Sequence, residues 1–288
     1  MPHYAYQKHL LQAITRNAPH YKNIRAIIEE IGLRLLSRLA YFKYPPKKIL
    51  DLGSGQGLDT YQLSQAYPES EIIAVDFCQA QFSHYEAQLQ QNPLINFCIA
   101  SAPDLPFPDK TFDLLFSNLL LPAIHDYPAF WSECKRVLKP GGILLLSTLG
   151  TQSFIELQTC FNDLNVSDSM NTFPKLSEMG DSLMQAGFDD PVIESEHLTL
   201  YYRSLHRLLT ELKNIGSIKI WEEYPEKMFK SKFFWMELEK YYRKNFLFEE
   251  KKLPLSLEIY FLIAFAPTKK KSQANISHVF LNEIKKKI

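Results

Sequence analysis

No two cysteines in this chain stand in a C-x-x-C spacing. The four present, Cys78, Cys98, Cys134 and Cys160, are scattered, and no histidine stands where it would complete a zinc site with them. They read as small buried hydrophobes in a reducing compartment, and no metal is expected. No apolar run approaches the roughly 18 residues that a membrane span needs. The opening Met1-Pro2-His3-Tyr4 lacks the basic-then-apolar pattern of a secretory signal. An excess of one charge is missing too: 32 Lys and Arg balance 32 Asp and Glu, so no whole-molecule field attracts a polyanion. Repeats, low-complexity tracts and a Ser-His-Asp arrangement are equally absent. These gaps point to a cytoplasmic protein, with neither nucleic acid nor membrane as partner.

What the chain does have is alternation. Ile24, Ile27, Ile28, Ile31, Leu35, Leu36 and Leu39 recur near helical spacing, and Pro45-Pro46 stops that helix. Lys48–Leu52 reads as a buried strand, Asp59–Ala66 as a helix broken by Pro68, and Ile72–Asp76 as a second strand. A helix around Phe82–Gln91, strands at Ile95–Ile99 and Phe112–Ser117, and a helix at Phe130–Leu138 continue the rhythm. Pro140-Gly141-Gly142 reads as a turn before an apolar strand, Ile143–Thr148. This order predicts parallel βαβ units with right-handed crossovers, binding ligands at the carboxyl ends of the strands.

After Gly150 the pattern loosens. A helix at Leu176–Ala186 ending on Gly187, a long strand Val192–Tyr202, a helix Leu205–Asn214 and a last strand Leu257–Phe265 are expected. A long strand and a returning one suit an antiparallel pair closing one sheet edge. The segment before the last strand, to about Lys252, is rich in charges and aromatics. The expected organisation is one domain over 1–267, with a helical lid over about 1–44, an insertion over about 203–252, and a basic appendage at 268–288.

Chemistry concentrates after the first strand. In Asp51-Leu52-Gly53-Ser54-Gly55-Gln56-Gly57 the glycines let the backbone turn tightly and approach a ligand. A dinucleotide loop would place its third glycine at 58, where Leu58 stands. This spacing therefore suits a cofactor without a pyrophosphate. Asp76 ends the second strand, where a carboxylate accepts the hydroxyls of a ribose. A nucleoside-bearing cofactor follows.

These residues resemble the seven-stranded S-adenosylmethionine methyltransferases of class I. Residues 51–57 look like their first motif, Leu105-Pro106-Phe107 with Thr111-Phe112-Asp113 like the approach to their fourth strand, and Arg136–Gly142 like the turn before their fifth. A narrower resemblance, from about Thr15 to Pro267, is to the malonyl-acyl-carrier-protein O-methyltransferases of biotin synthesis. It rests on Arg16–Tyr21, Phe116–Leu119, Ser147–Gly150, Asn171-Thr172-Phe173 and Leu212–Gly216, in that order.

The resemblance implies a doubly wound, mostly parallel α/β sheet of seven strands with an antiparallel edge strand, and S-adenosyl-L-methionine as cofactor. Its contacts would be Asp51, Gly53, Ser54, Gly55, Asp76, Phe77, Ser101, Ala102, Ser117 and Asn118. It implies methyl transfer to the free carboxylate of malonyl-acyl carrier protein. That acceptor is already anionic at neutral pH, so no catalytic base is expected. Tyr21 is the candidate lid residue, with simple packing of its helix as the alternative. Arg203 is the candidate anchor for the malonyl carboxylate, with a solvated surface role as the alternative. The insertion's lysines, among them Lys213, Lys240 and Lys244, suit an acidic carrier or an ordinary solvated face. Two positions depart from the family: Ser101 replaces an acid beside the adenine, and Ile28 replaces a glutamine. Ser101 is expected to give a weaker, neutral acceptor. Methyltransferase-fold assembly factors of respiratory complex I, which act as hydroxylases or binding modules, share these motifs and form the alternative reading. Methylation of another small acid is a third.

Overall fold

The computed structural model describes residues 22–82, 87–164, 173–214 and 232–268. The first half is α1 (Lys22–Ser37), β1 (Lys48–Leu52), α2 (Leu58–Ala66), β2 (Glu71–Asp76), α3 (Gln79–Phe82), α4 (Ala87–Gln91), β3 (Ile95–Ile99) and β4 (Phe112–Asn118). Then follow α5 (Tyr127–Val137), β5 (Leu138–Leu149), α6 (Ile155–Asp163), α7 (Leu176–Ala186), β6 (Asp189–Tyr202), α8 (Leu205–Asn214), α9 (Lys232–Phe246) and β7 (Leu253–Phe265). The strands form one sheet in the order β3-β2-β1-β4-β5-β7-β6. β1 pairs in parallel with both β2 and β4, so the chain's direction of growth reverses there. β7 runs antiparallel to β5 and to the edge strand β6, as the sequence predicts.

Both sheet faces are covered, which explains why the inner strands read as apolar runs rather than alternating ones. Ile49, Leu114, Phe116 and Ile259 enter one core layer, roofed by α1, α2, α6, α8 and α9. Leu50, Leu115, Tyr260 and Leu262 enter the other, roofed by α5 and α7. A fully buried Leu or Ile contributes about 1.5–3 kcal/mol. These two layers therefore outweigh the mostly half-exposed ion pairs as the source of stability.

Several elements differ from the sequence expectation, and β6 and β7 begin earlier than expected, at Asp189 and Leu253. Pro140-Gly141-Gly142 is not a turn ahead of a strand. β5 starts at Leu138 and bulges there, shifting its register against β4 between Phe112 and Leu114. Gly141 takes the left-handed conformation at φ +74° and its N–H donates to Ala266 O at 2.8 Å, so the bulge stays tied to the end of β7. The loosened stretch after Gly150 holds α6, whose Leu157, Cys160 and Phe161 are buried at helical spacing. The charged-aromatic segment holds α9, where Phe234, Leu238 and Tyr242 face inward at every fourth position. The helix expected over Phe82–Gln91 is two short pieces, α3 and α4, and residues 83–86 lie outside those described. Among the described residues no helix is long and apolar enough to cross a membrane.

α1 is pinned from two sides. Arg38, in the one-turn helix after it, reaches Glu194 and Glu196 of β6 at 2.7 Å each, with its guanidinium 3.7 Å over the Phe261 ring. At its middle, Gly32 lets the helix lie against α2: a Cβ there would stand 1.9 Å from Asp59 Oδ1.

Candidate active site

The reversal of strand order opens a crevice at the carboxyl ends of β1 and β4. The loop after β1 carries Gly53 at φ +80°, Gly55 at φ +52° and Gly57 at φ +79°, all left-handed. Gly53 has a second constraint, since a Cβ would approach Leu120 Cδ1 to 2.9 Å. Its N–H and that of Ser54 donate to Val75 O at 2.8 and 3.0 Å, tying the loop to β2.

Asp76 ends β2 with its carboxylate turned to that loop. Oδ2 accepts the Gly55 N–H at 3.0 Å and Oδ1 the Cys78 N–H at 2.8 Å. Burial raises its pKa, and backbone hydrogen bonds from Cys78, Gly55 and Phe77 work against that rise.

Two more carboxyl groups stand behind. Asp51 accepts the Thr60 hydroxyl at 2.5 Å. Burial, then the charges of Asp59 and Asp76, push it well above the usual carboxylate range, against the Thr60 hydrogen bond. Burial pushes Asp59 up to about 7, against a hydrogen bond from Asn118. Asn118 Nδ2 donates to Asp59 Oδ2 and to Ile28 O of α1, both at 3.0 Å, while its Oδ1 accepts the Ser147 hydroxyl at 2.7 Å. One amide thus joins α1, α2, β4 and β5.

Two hollows meet at this point, with about 560 and 750 Å³ of space, open solvent included. They share Gly53, Asp76, Phe77, Leu120 and Ala123, and so form one cleft. One end is lined by Ser101, Ala102, Ile124 and His125. The other is lined by Ser54, Gly55, Asp59, Gln81, Asn118 and Ile28.

Eight of the residues picked from sequence therefore meet here: Gly53, Ser54, Gly55, Asp76, Phe77, Ser101, Ala102 and Asn118. Asp51 and Ser117 are buried behind the wall instead, and Ser117 donates to Leu52 O at 2.8 Å, stitching β4 to β1. Arg203 is exposed just past β6, at the sheet edge three places from β4. Since β5 and β6 both oppose β7, it lies at the end of the sheet where the cleft opens. Tyr21 lies outside the described residues. Asp59, Gln81 and Leu120 escaped the sequence reading. Asp59 carried one usable signal, an acid in the first helical turn after the glycine loop.

Comparison with known proteins agrees with this geometry. Residues 50–146 match the family described as "Methyltransferase domain". A protein of Gallionella capsiferriformans named malonyl-[acyl-carrier protein] O-methyltransferase is 33% identical over 268 residues, 91% of each chain. The chain belongs to the malonyl-[acyl-carrier protein] O-methyltransferase family. Among solved structures, the YcgJ protein of Bacillus subtilis superposes with a TM-score of 0.56 at 18% identity, covering 82% of this chain and 98% of its own. Phosphoethanolamine N-methyltransferase 2 of Haemonchus contortus, in complex with S-adenosyl-L-methionine, gives 0.51 at 18%, covering 82% and 52%. At these identities the two structures speak for the fold.

The cofactor of a methyltransferase of this family is S-adenosyl-L-methionine, and the cleft suits it on its own terms. It combines a carboxylate at the β2 end, an apolar hollow beside Phe77 and Ala102, and three crowded acids that a cationic ligand would relieve.

Proposed function

We propose that this protein transfers a methyl group from S-adenosyl-L-methionine to the free carboxylate of a malonyl-acyl carrier protein, as an early step of biotin synthesis. The reading is carried by the similarity to a relative of that name across 91% of both chains.

When bound, the cofactor supplies an electrophilic methyl group on a sulfonium. The side chains do the rest by placement. Asp76 takes the ribose, the hollow of Phe77, Ser101 and Ala102 takes the adenine, and Asp59 lines the end for the cationic group, whose charge favours its ionised form. Asn118 is held by its hydrogen bonds to Ile28, Asp59 and Ser147, so the mouth of the cleft is rigid where the acceptor would enter. A carboxylate acceptor needs no proton removed. The requirement is to align oxygen, methyl carbon and sulfur and to exclude water, and α1 closing over Asp59 serves the second need. Tyr21 and Arg203 are the proposed substrate-side residues, and residues 1–267 the proposed single domain. Free cysteines at all four described positions support a reducing, cytoplasmic setting.

Purified protein, cofactor and malonyl-loaded carrier test the proposal by intact-protein mass spectrometry. The expected result is gain of one methyl group on the malonyl moiety. A carrier of unchanged mass, with cofactor binding demonstrated in the same sample, would sink it.

A further inference from the structure

β6 and β7 outrun the rest of the sheet. Leu149, the last residue of β5, is level with Ile259 and, through it, with Glu196. Beyond that level β6 continues for six residues to Tyr202, paired with β7 alone. At about 3.4 Å per residue this two-stranded ribbon stands about 20 Å clear of β5, on the side where the cleft opens. One face of the ribbon is closed, since Leu198, Leu200, Leu255 and Leu257 pack into the core layer roofed by α8 and α9. The other face carries His197, Thr199 and Tyr201, all exposed.

The tip of the ribbon joins aromatic surface to positive charge. The Tyr201 ring lies 4.9 Å from that of Phe248, in the connection from α9 to β7. Tyr201, Leu247 and Phe248 keep 47%, 50% and 49% of their surface exposed. Arg243, in the last turn of α9, donates to Lys251 O at 3.4 Å and to Arg203 O at 3.5 Å, which gathers three bases beside the rings. Glu239 pairs with Arg243 at 2.7 Å, while among the described residues no carboxylate pairs with Arg203 or Lys251. Residues 243–252 hold four bases against two acids, Glu249 and Glu250. An exposed apolar patch rimmed by charge marks a contact with another protein, and Tyr, Phe and Arg are enriched at such contacts.

Position decides the kind of partner. β6 is three places from β4 in the sheet, about 14 Å across at the usual strand spacing, and the tip rises above that level as well. Side chains there stand too far from the cleft to touch the reacting atoms. A small free acceptor would gain nothing from this surface. An acceptor tethered to an acidic protein would, with the protein body at the tip and the tethered thioester reaching down to the cleft.

We propose that the open face at the tip of the β6–β7 ribbon, built on Tyr201, Phe248, Arg203 and Lys251, docks the body of an acidic carrier protein. This rests on the reading of malonyl-carrier protein as the methyl acceptor.

Calorimetry with unloaded carrier, which has the tether but no malonyl group, measures docking apart from catalysis. The variants are Lys251→Glu and Phe248→Ser in the full chain. Each should weaken carrier binding about tenfold, the loss expected of a well-placed interface residue. Each should also raise KM for malonyl-carrier protein while kcat, cofactor affinity and melting temperature hold. Added salt should weaken wild-type binding, and weaken that of Lys251→Glu less. Wild-type affinity in both variants, with malonyl-carrier protein methylated normally, would overturn the docking surface and leave the acceptor standing. A wild type that neither binds nor methylates the carrier would overturn both. Sedimentation showing a wild-type dimer that Lys251→Glu splits would also overturn the proposal, by giving this face to a second copy of the chain.

Discussion

Asp59 stands two residues after the last glycine of the loop, enclosed by α1 and Asn118, with its carboxyl pushed up to about 7 by burial. Unfolded, it would titrate near 4. Between those values the folded state holds the extra proton, so this residue makes stability fall as pH rises from about 4 to about 7. Chemical denaturation of the cofactor-free protein across that window should show the decline, and Asp59→Asn should flatten it. A slope unchanged by the substitution would place the titration elsewhere. Binding a cation favours the ionised form, so cofactor affinity should strengthen over the same range. Asp76 is the simpler case: Asp76→Ala removes a charge-assisted contact and should weaken cofactor binding by about 1.5–3 kcal/mol, read by calorimetry. Equal affinity would remove Asp76 from the ribose site. Asp76 was legible in the sequence because its signal is local, an acid at a strand end one βα unit after the loop. Asp59 and Gln81 were not. Their meaning depends on Asn118 and on the cleft wall, which folding alone brings to them.

At the scale of elements, α1 is the piece whose position matters most to the cleft. Its Ile28 carbonyl accepts from Asn118 and its Gly32 admits Asp59. Gly32→Ala forces a methyl into a carboxylate oxygen, and overpacking of this kind costs about 1–3 kcal/mol. Thermal melting should fall accordingly and cofactor affinity with it, because α1 must lift off the cleft. A melting temperature at or above wild type would show that α1 is not docked as described. The helical spacing of Ile24 to Leu39 foretold this helix, yet nothing local marks Gly32, since an isolated glycine in a helix reads as a mere weak point. The same limit explains α9, whose inward residues are diluted by charges, and the bulge in β5, where a Pro-Gly-Gly sequence that usually turns a chain is kept in the strand by hydrogen bonds to Ala266, just past β7.

For the whole molecule, the parallel βαβ units and the antiparallel edge were legible because alternating strands and helices leave few right-handed arrangements. The site is assembled from segments as far apart as Ile28 and Asn118, so the motifs marked its loops but not the acids and amide between them. Arg203 belongs to this scale. Exposed at the mouth end of the far edge, three strands from β4, it is proposed to contact the carrier-bound substrate rather than the cofactor. Arg203→Ala should raise KM for malonyl-carrier protein with cofactor affinity nearly intact, and Lys should rescue in part, lacking the planar fork. Normal kinetics in the alanine variant would return Arg203 to the solvated surface.

The most direct test of the central claim compares malonyl-loaded with acetyl-loaded carrier, using S-adenosyl-L-methionine labelled in its methyl group. The two acceptors differ in the free carboxylate. Label should enter the malonyl carrier alone, and mild alkali should release it as methanol, as an ester requires. Label in the acetyl carrier, or label on malonyl carrier that survives alkali, would contradict carboxyl methylation.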